Sequence, residues 1–164
     1  MAPYRQMFEM DPSNPMARLF YQWVLILNRR DAEASAIATS FPREMGDTVP
    51  ARISLFLAHA LAGEGLEAQA SLTPEIEAAA AATDAFSRFL AHGYALAGMP
   101  EPAIHWLEIA VERGFINHPF LAQHDPILES LRGHPRFEAL LEVVEQRWEG
   151  FEVPGTRNEI SSIG

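Results

Sequence analysis

The chain has 164 residues, is 48% hydrophobic and carries a net charge of −10, with twelve arginines, no lysine and no cysteine. This length suits one domain with a sizeable core, and no apolar run is long enough to span a membrane. The acidic balance argues against a nucleic-acid partner, and the missing Lys and Cys exclude P-loop, Schiff-base and thiolate chemistry.

The helical pattern begins after a break at residues 11–15, which contains capping residues and a proline suited to a first helical turn. Apolar residues at helical spacing then predict a helix over residues 17–27. A short turn follows, and a second helix is predicted over residues 31–41. We expect this second helix to end before Pro42.

Two further units follow the same plan. The first of them turns at Gly63, and its second helix is interrupted at Pro74, where a fresh helix starts. The next unit is predicted to begin with Asp84 as its cap, to turn at Gly98 and to return over residues 103–114.

The periodic pattern stops after residue 114. We expect a loop-rich connection over residues 115–126, a short helix over 127–131 and a last long helix over 135–148. The sequence thus predicts a helical domain over residues 1–153 and a disordered tail over 154–164.

Three stretches of the chain align at a spacing of 34 to 35 residues. The small residues Ala34, Ala68 and Ala103 keep this spacing, and so do the leucines at 27, 61 and 96. A period in this range is typical of helical repeat arrays, in which each unit buries its apolar face against its neighbours.

Each unit consists of a helix, a tight turn and a second helix, which places a small alanine against the first helix. This pattern resembles the tetratricopeptide repeat. The third unit matches most positions of that pattern, namely Leu90, Ala91, Tyr94, Gly98, Ala103, Leu107 and Ala110. The first two units depart from it at Gln22, Arg29, Phe56, His59 and Pro74. The resemblance implies an all-α, tetratricopeptide-like superhelix of about three helix pairs, with a partial N-terminal repeat helix and a C-terminal helical cap.

The two ends of the chain extend this resemblance. Residues 1–10 look like the second helix of a repeat, with Tyr4, Met7 and Phe8 expected to dock on the first full unit. The stretches 112–117, 132–137 and 148–153 resemble the end of repeat regions in large bacterial signalling proteins, where a Ser/Thr kinase, cyclase or DNA-binding domain precedes the repeats. We therefore expect a fragment or short homologue of such a protein. A cytoplasmic location is expected, with the periplasm left open.

In this architecture the first helices line a concave groove, and the resemblance implies that a peptide, a helix or a protein domain binds there. The residues expected to face the groove are Leu19, Trp23, Ile26, Ile53, Leu57, Arg88 and His92. Two alternatives stay open. A small molecule or lipid could use the same apolar groove, or the chain could cover the groove with its own last helix, its tail or a second copy.

Histidines suggest two other kinds of site. His118 and His124 lie with Asp125 in the connection after the third unit, close in sequence to His134, and imidazole and carboxylate groups bind metals. No recognised metal spacing is present, and turn or capping roles are the preferred explanation of these residues. No Ser/His/Asp pattern supports catalysis by His59 or His92. We therefore predict a non-enzymatic scaffold without a metal or cofactor.

Overall fold

A computed structural model describes residues 2–151, except for the side chains of residues 42–45. All regular structure in that range is helical, which confirms the predicted all-α class. The α-helices in chain order are α1 Ala2–Met10, α2 Pro15–Leu27, α3 Asp31–Met45, α4 Val49–Leu61, α5 Gly65–Ala70, α6 Pro74–Ala81, α7 Asp84–Leu96, α8 Pro100–Glu112 and α9 Pro135–Glu149. The predicted tail, 154–164, lies outside the described residues.

Most helices of the repeat region begin at a side-chain cap. The Oδ1 atom of Asn14 accepts hydrogen bonds from the first-turn N–H groups of α2. Thr48, Thr73 and Thr83 serve α4, α6 and α7 in the same way. Thr83 therefore caps α7, and Asp84, the predicted cap, is the first residue of that helix. Each cap satisfies an N–H group that has no partner within the helix.

The turns between paired helices share one geometry. Arg29, Gly63 and Gly98 occupy equivalent positions, and all three have a positive φ, of 57°, 76° and 70°. The next residue in each turn donates its N–H to a carbonyl in the last turn of the preceding helix, at 2.9 Å in Arg30→Leu25, Glu64→His59 and Met99→Tyr94. The 34- to 35-residue period of the sequence is thus also a period of the hydrogen bonds.

The small residues of the repeat lie where the helices approach each other. Ala34, Ala68 and Ala103 are all buried, as predicted. The pairs α2–α3, α4–α5 and α7–α8 pack as helical hairpins, and α4 also contacts α3 and α7. The helix α9 packs against α8 at the end of the array.

Besides the cap of α7, the predicted end of α3 was wrong. The helix α3 continues through Pro42 to Met45 instead of ending at Phe41. Proline removes one backbone hydrogen bond and its ring crowds the carbonyl four residues earlier, a cost of about 3 kcal/mol that the rest of the fold must offset. The expected loop over residues 115–126 contains a π-helical turn, Phe120–His124, and the short helix after it is the 3₁₀ turn Leu128–Leu131.

The N-terminal helix α1 docks on the first full unit through two of the three predicted residues. Tyr4 stacks on Phe20 with ring centroids 6.2 Å apart, and Phe8 stacks on Tyr21 at 5.1 Å. Met7 is 38% exposed and lines a surface groove between α1 and α2. Tyr4 is exposed to almost the same extent, 37%, whereas Phe8, about 100° further around the helix from Met7, is partly buried.

Candidate functional site

The predicted groove residues lie in the interior of the protein. Leu19, Ile53 and Leu57 are fully buried, and Trp23, Ile26 and His92 are nearly so. The seventh, Arg88, keeps 15% of its side chain exposed. The prediction of an open groove at these positions therefore needs correction, while a role of these residues in partner binding stays a prediction.

Large aromatic side chains fill the space between the first helices. Phe20 and Trp23 of α2 contact Phe89 of α7 edge to face, with centroids 5.3 and 5.5 Å apart. In an open array each unit contacts only its immediate neighbours. Here the first unit also contacts the third, and this contact closes the concave face.

A hydrogen-bonded chain of three side chains crosses the closed face. The indole Nε1 of Trp23 donates to Nδ1 of His92 at 2.7 Å, and the two ring planes are 10° apart, as a hydrogen bond in the plane of both rings requires. The Nε2 atom of His92 lies 2.8 Å from Oδ2 of Asp125, and both of these side chains are buried. Residues 23, 92 and 125 are thereby joined across three separate parts of the sequence.

The hydrogen bonds at its two ring nitrogens fix the tautomer of His92. An indole N–H can only donate, so Nδ1 of His92 must accept the hydrogen bond from Trp23. The proton of the neutral imidazole is then on Nε2, from which it is donated to the Asp125 carboxylate.

Asp125 also holds the segment that covers this face. Its Oδ1 accepts the N–H of Ile127 at 3.0 Å, and its own N–H is donated to the carbonyl of Phe120 at 2.9 Å. Burial alone would raise the pKa of the Asp125 carboxyl. Attraction to the positive end of the His92 Nε2–H group and hydrogen bonds from His92, Ile127 and Leu128 outweigh burial and hold that pKa below its ordinary value.

The connection between α8 and α9, rather than the last helix α9, therefore supplies the buried partner of His92. Sequence reasoning did not find this role of Asp125, for which it offered only a helix start or a metal ligand. Asp125 lies in the aperiodic connection, 33 residues from its partner His92. The one clue in the sequence was a lone carboxylate before the apolar residues Ile127 and Leu128, and this pattern does not indicate which residue the carboxylate contacts.

Arg88 lies at the edge of the closed face. Its guanidinium is 4.1 Å from the ring centroid of Phe115 and 5.5 Å from that of Trp23. Its Nη2 is 3.8 Å from Oδ2 of Asp84, beyond hydrogen-bonding distance, and its buried Nε has no partner. Burial lowers the pKa of Arg88, but an arginine remains charged at neutral pH.

Phe115 contacts this arginine directly, and three more partly exposed rings connect to it through a series of ring contacts that includes Trp23 and Phe89. We call the surface formed by these rings and the arginine the Arg88 mouth. It consists of Tyr4, Phe20, Phe86, Arg88 and Phe115. The other arginines whose side chains the structure describes donate hydrogen bonds within the protein. Arg136 bonds two glutamates, for example, and Arg147 bonds a backbone carbonyl.

The two histidines considered from sequence as catalytic groups differ in their exposure. A general base must reach the proton that it removes, whereas His92 and Asp125 are enclosed. The surface histidine His59 is paired with Glu64, at 2.6 Å. Among residues 2–151, apart from the side chains of 42–45, no group of three or more His, Cys, Asp or Glu is placed to hold a metal ion.

Comparisons with protein-family models, curated proteins and solved structures gave no match to this chain. Within the described range, no helix combines the length and the apolar character needed to cross a bilayer.

Proposed function

We propose that the protein is an interaction module of the tetratricopeptide kind, which binds a peptide, a helix or a protein domain as a cytoplasmic scaffold. The Arg88 mouth is the observation that supports this proposal most directly. It combines Tyr4, which is 37% exposed, with three partly buried phenylalanines and one arginine. Aromatic and arginine side chains dominate the binding energy of protein interfaces.

The rigidity of this surface also favours binding. Tyr4 and Phe20 are stacked, and Phe86 leans on the buried ring of Phe89 at 6.3 Å. Side chains that are already fixed lose little conformational entropy when a partner arrives. A partner would therefore meet a preformed surface.

The alternative of a small-molecule or lipid module depended on an open apolar groove. Aromatic side chains of the chain itself occupy that space, including Trp23 and Phe89. A protein partner, or a second copy of the chain, needs only the surface at the edge of the filled face. We therefore place the interaction at the Arg88 mouth.

Site-specific photocrosslinking tests the proposal. We suggest placing p-benzoylphenylalanine at Tyr4 or Phe86, with a control at Leu66, which is 80% exposed and outside the mouth. In the source cell, Tyr4 and Phe86 should give the same discrete adduct, which excess unlabelled protein should suppress. Equal crosslinking from Leu66, or no saturable adduct from either mouth position, would contradict the proposed function.

A further inference from the structure

We propose that Arg88 is the anchor for a carboxylate, which an apolar segment of the partner protein presents to the Arg88 mouth. The inference rests on the interaction function proposed above and names the chemistry that the partner must carry. It begins from an arginine whose hydrogen-bonding capacity is not used.

Arg88 makes no hydrogen bond among the residues that the structure describes. A guanidinium has five N–H donors, and each donor that is withdrawn from water without an acceptor is unfavourable. The aromatic faces of Phe115 and Trp23 stabilise the positive charge but accept no conventional hydrogen bond. The site therefore attracts an anion and lacks an acceptor.

The nearest carboxylate does not supply that acceptor. Asp84 lies one helical turn before Arg88, 3.8 Å away, and 43% of its side chain is exposed. It balances part of the charge from a distance at which no hydrogen bond forms. A carboxylate that enters from outside can approach the guanidinium edge in the planar, two-bond geometry that arginine favours.

The surroundings restrict the kind of partner. The ring of Phe115 lies against the arginine, and the rings of Phe20 and Tyr4 continue outward from Trp23 on its other side. Apolar groups beside the incoming carboxylate would therefore be buried together with it. The net charge of −10 repels partners with many negative charges. These two features favour a single carboxylate in an apolar segment over a phosphorylated or strongly acidic one.

Short fluorescent peptides and the full chain provide the test. We suggest measuring anisotropy with Leu-Phe-Glu, blocked at both ends, and with the matched Leu-Phe-Gln peptide at millimolar protein. The glutamate peptide should bind about tenfold more tightly, which corresponds to one charge-assisted hydrogen-bonded pair. The proposal would be overturned if the glutamate and glutamine peptides bound equally and a peptide with a free C-terminal carboxylate also bound no better than its amide, including no binding of any of them.

Variants of the protein locate the effect. Arg88→Gln should abolish the preference for glutamate, and Arg88→Lys should keep only part of it because an ammonium lacks the planar pair of donors. Asp84→Asn should strengthen binding of the glutamate peptide. Asp31→Asn is the matched control, because Asp31 is also an exposed first residue of a helix. Unchanged preference in Arg88→Gln with native helical content would place the carboxylate elsewhere and contradict the inference.

A third peptide separates two sources of the carboxylate. Leu-Phe with a free C-terminus carries its charge on the main chain, whereas the blocked glutamate peptide carries it on a side chain. Preference for either one over its neutral amide supports the inference and identifies the source. A saturable crosslink at Tyr4 combined with no carboxylate preference would leave the interaction function intact and refute only the role of Arg88.

Discussion

At one position of the repeat, both the first and the second unit of the array differ from the third. Equivalent positions hold Gln22, Phe56 and Ala91, and a small residue is expected there. All three are buried, so the larger side chains had to be accommodated. In the second unit, Phe56 packs where α7 has Gly93, and a methyl group added to that glycine would lie 2.0 Å from the phenylalanine ring.

The first unit accommodates its larger residue in another way. Gln22 donates its side-chain N–H to the carbonyl of Ser54 at 3.0 Å, and Ser54 is itself small and buried. In both units the neighbouring first helix accommodates the larger residue. Gly93 leaves space for the Phe56 ring, and the backbone carbonyl of Ser54 accepts the hydrogen bond of Gln22. A degenerate repeat remains packed when its neighbour changes with it.

Ala103→Trp attacks the unit that has no such compensation and should have the largest effect. Ala103 is fully buried in the third unit, and overpacking a core typically costs about 1–3 kcal/mol, with more for a change as large as this one. We expect unfolding or a strongly lowered thermal midpoint in circular dichroism. Native stability in this variant would show that the repeat register is misassigned.

Gly93→Ala breaks the compensation in the second unit. The new methyl group would clash with Phe56, which is itself fully buried, and the cost should reach about 3 kcal/mol in chemical denaturation. Phe56→Ala alone should also destabilise the protein. The double variant should lose less stability than the sum of the losses in the two single variants, because the clash is removed. Strict additivity would contradict the pairing of these two residues.

Asp125→Ala removes a contact that the third unit makes outside the repeat and should cost about 2 kcal/mol. It deletes a hydrogen bond to a charged group and leaves the His92 N–H enclosed without an acceptor. Because the folded-state pKa of Asp125 is lowered, the carboxylate stabilises the wild type above its unfolded-state pKa. That contribution is lost as the pH falls through the folded-state value.

The measurement is the free energy of unfolding from neutral to acidic pH, in the wild type and in Asp125→Ala. The difference between them should shrink as the solution becomes more acidic. A difference that stays constant down to the acid transition would show that the charge of Asp125 is not what stabilises the fold.

Arg29→Gly sharpens the comparison of the turns and should have the smallest effect. Arg29 adopts a positive φ that the other two units give to glycine. Glycine removes the strain of a left-handed conformation but loses more backbone entropy on folding, so we expect a net stabilisation below about 1 kcal/mol. Arg29 also donates to the carbonyl of Pro126 at the surface. A destabilised variant would show that this contact outweighs the strain.

Sequence reasoning predicted the features that repeat. The buried Ala34, Ala68 and Ala103 and the helix restart at Pro74 followed from spacing and from local capping rules. These features depend on residues a few positions apart, or on a period that the sequence displays. The helix through Pro42 was missed because packing can override a local preference.

The arrangement at the concave face was not predictable in the same way. Spacing identified Trp23, Arg88 and His92 as residues of one face, and the structure brings these three together. The spacing did not indicate that the rings of the first and third units would meet, because contact between distant units depends on the curvature of the array. Asp125 lies outside the period, so no spacing argument could reach it.

The contact between Trp23 and His92 has a consequence for how the molecule unfolds. Linear repeat arrays respond as a sum of nearest-neighbour terms and can fray from either end. Here one hydrogen bond joins positions 69 residues apart, and Asp125 ties the following segment to the same histidine. Loss of either end removes contacts from the other, so the array should unfold in one cooperative transition, like a globular domain.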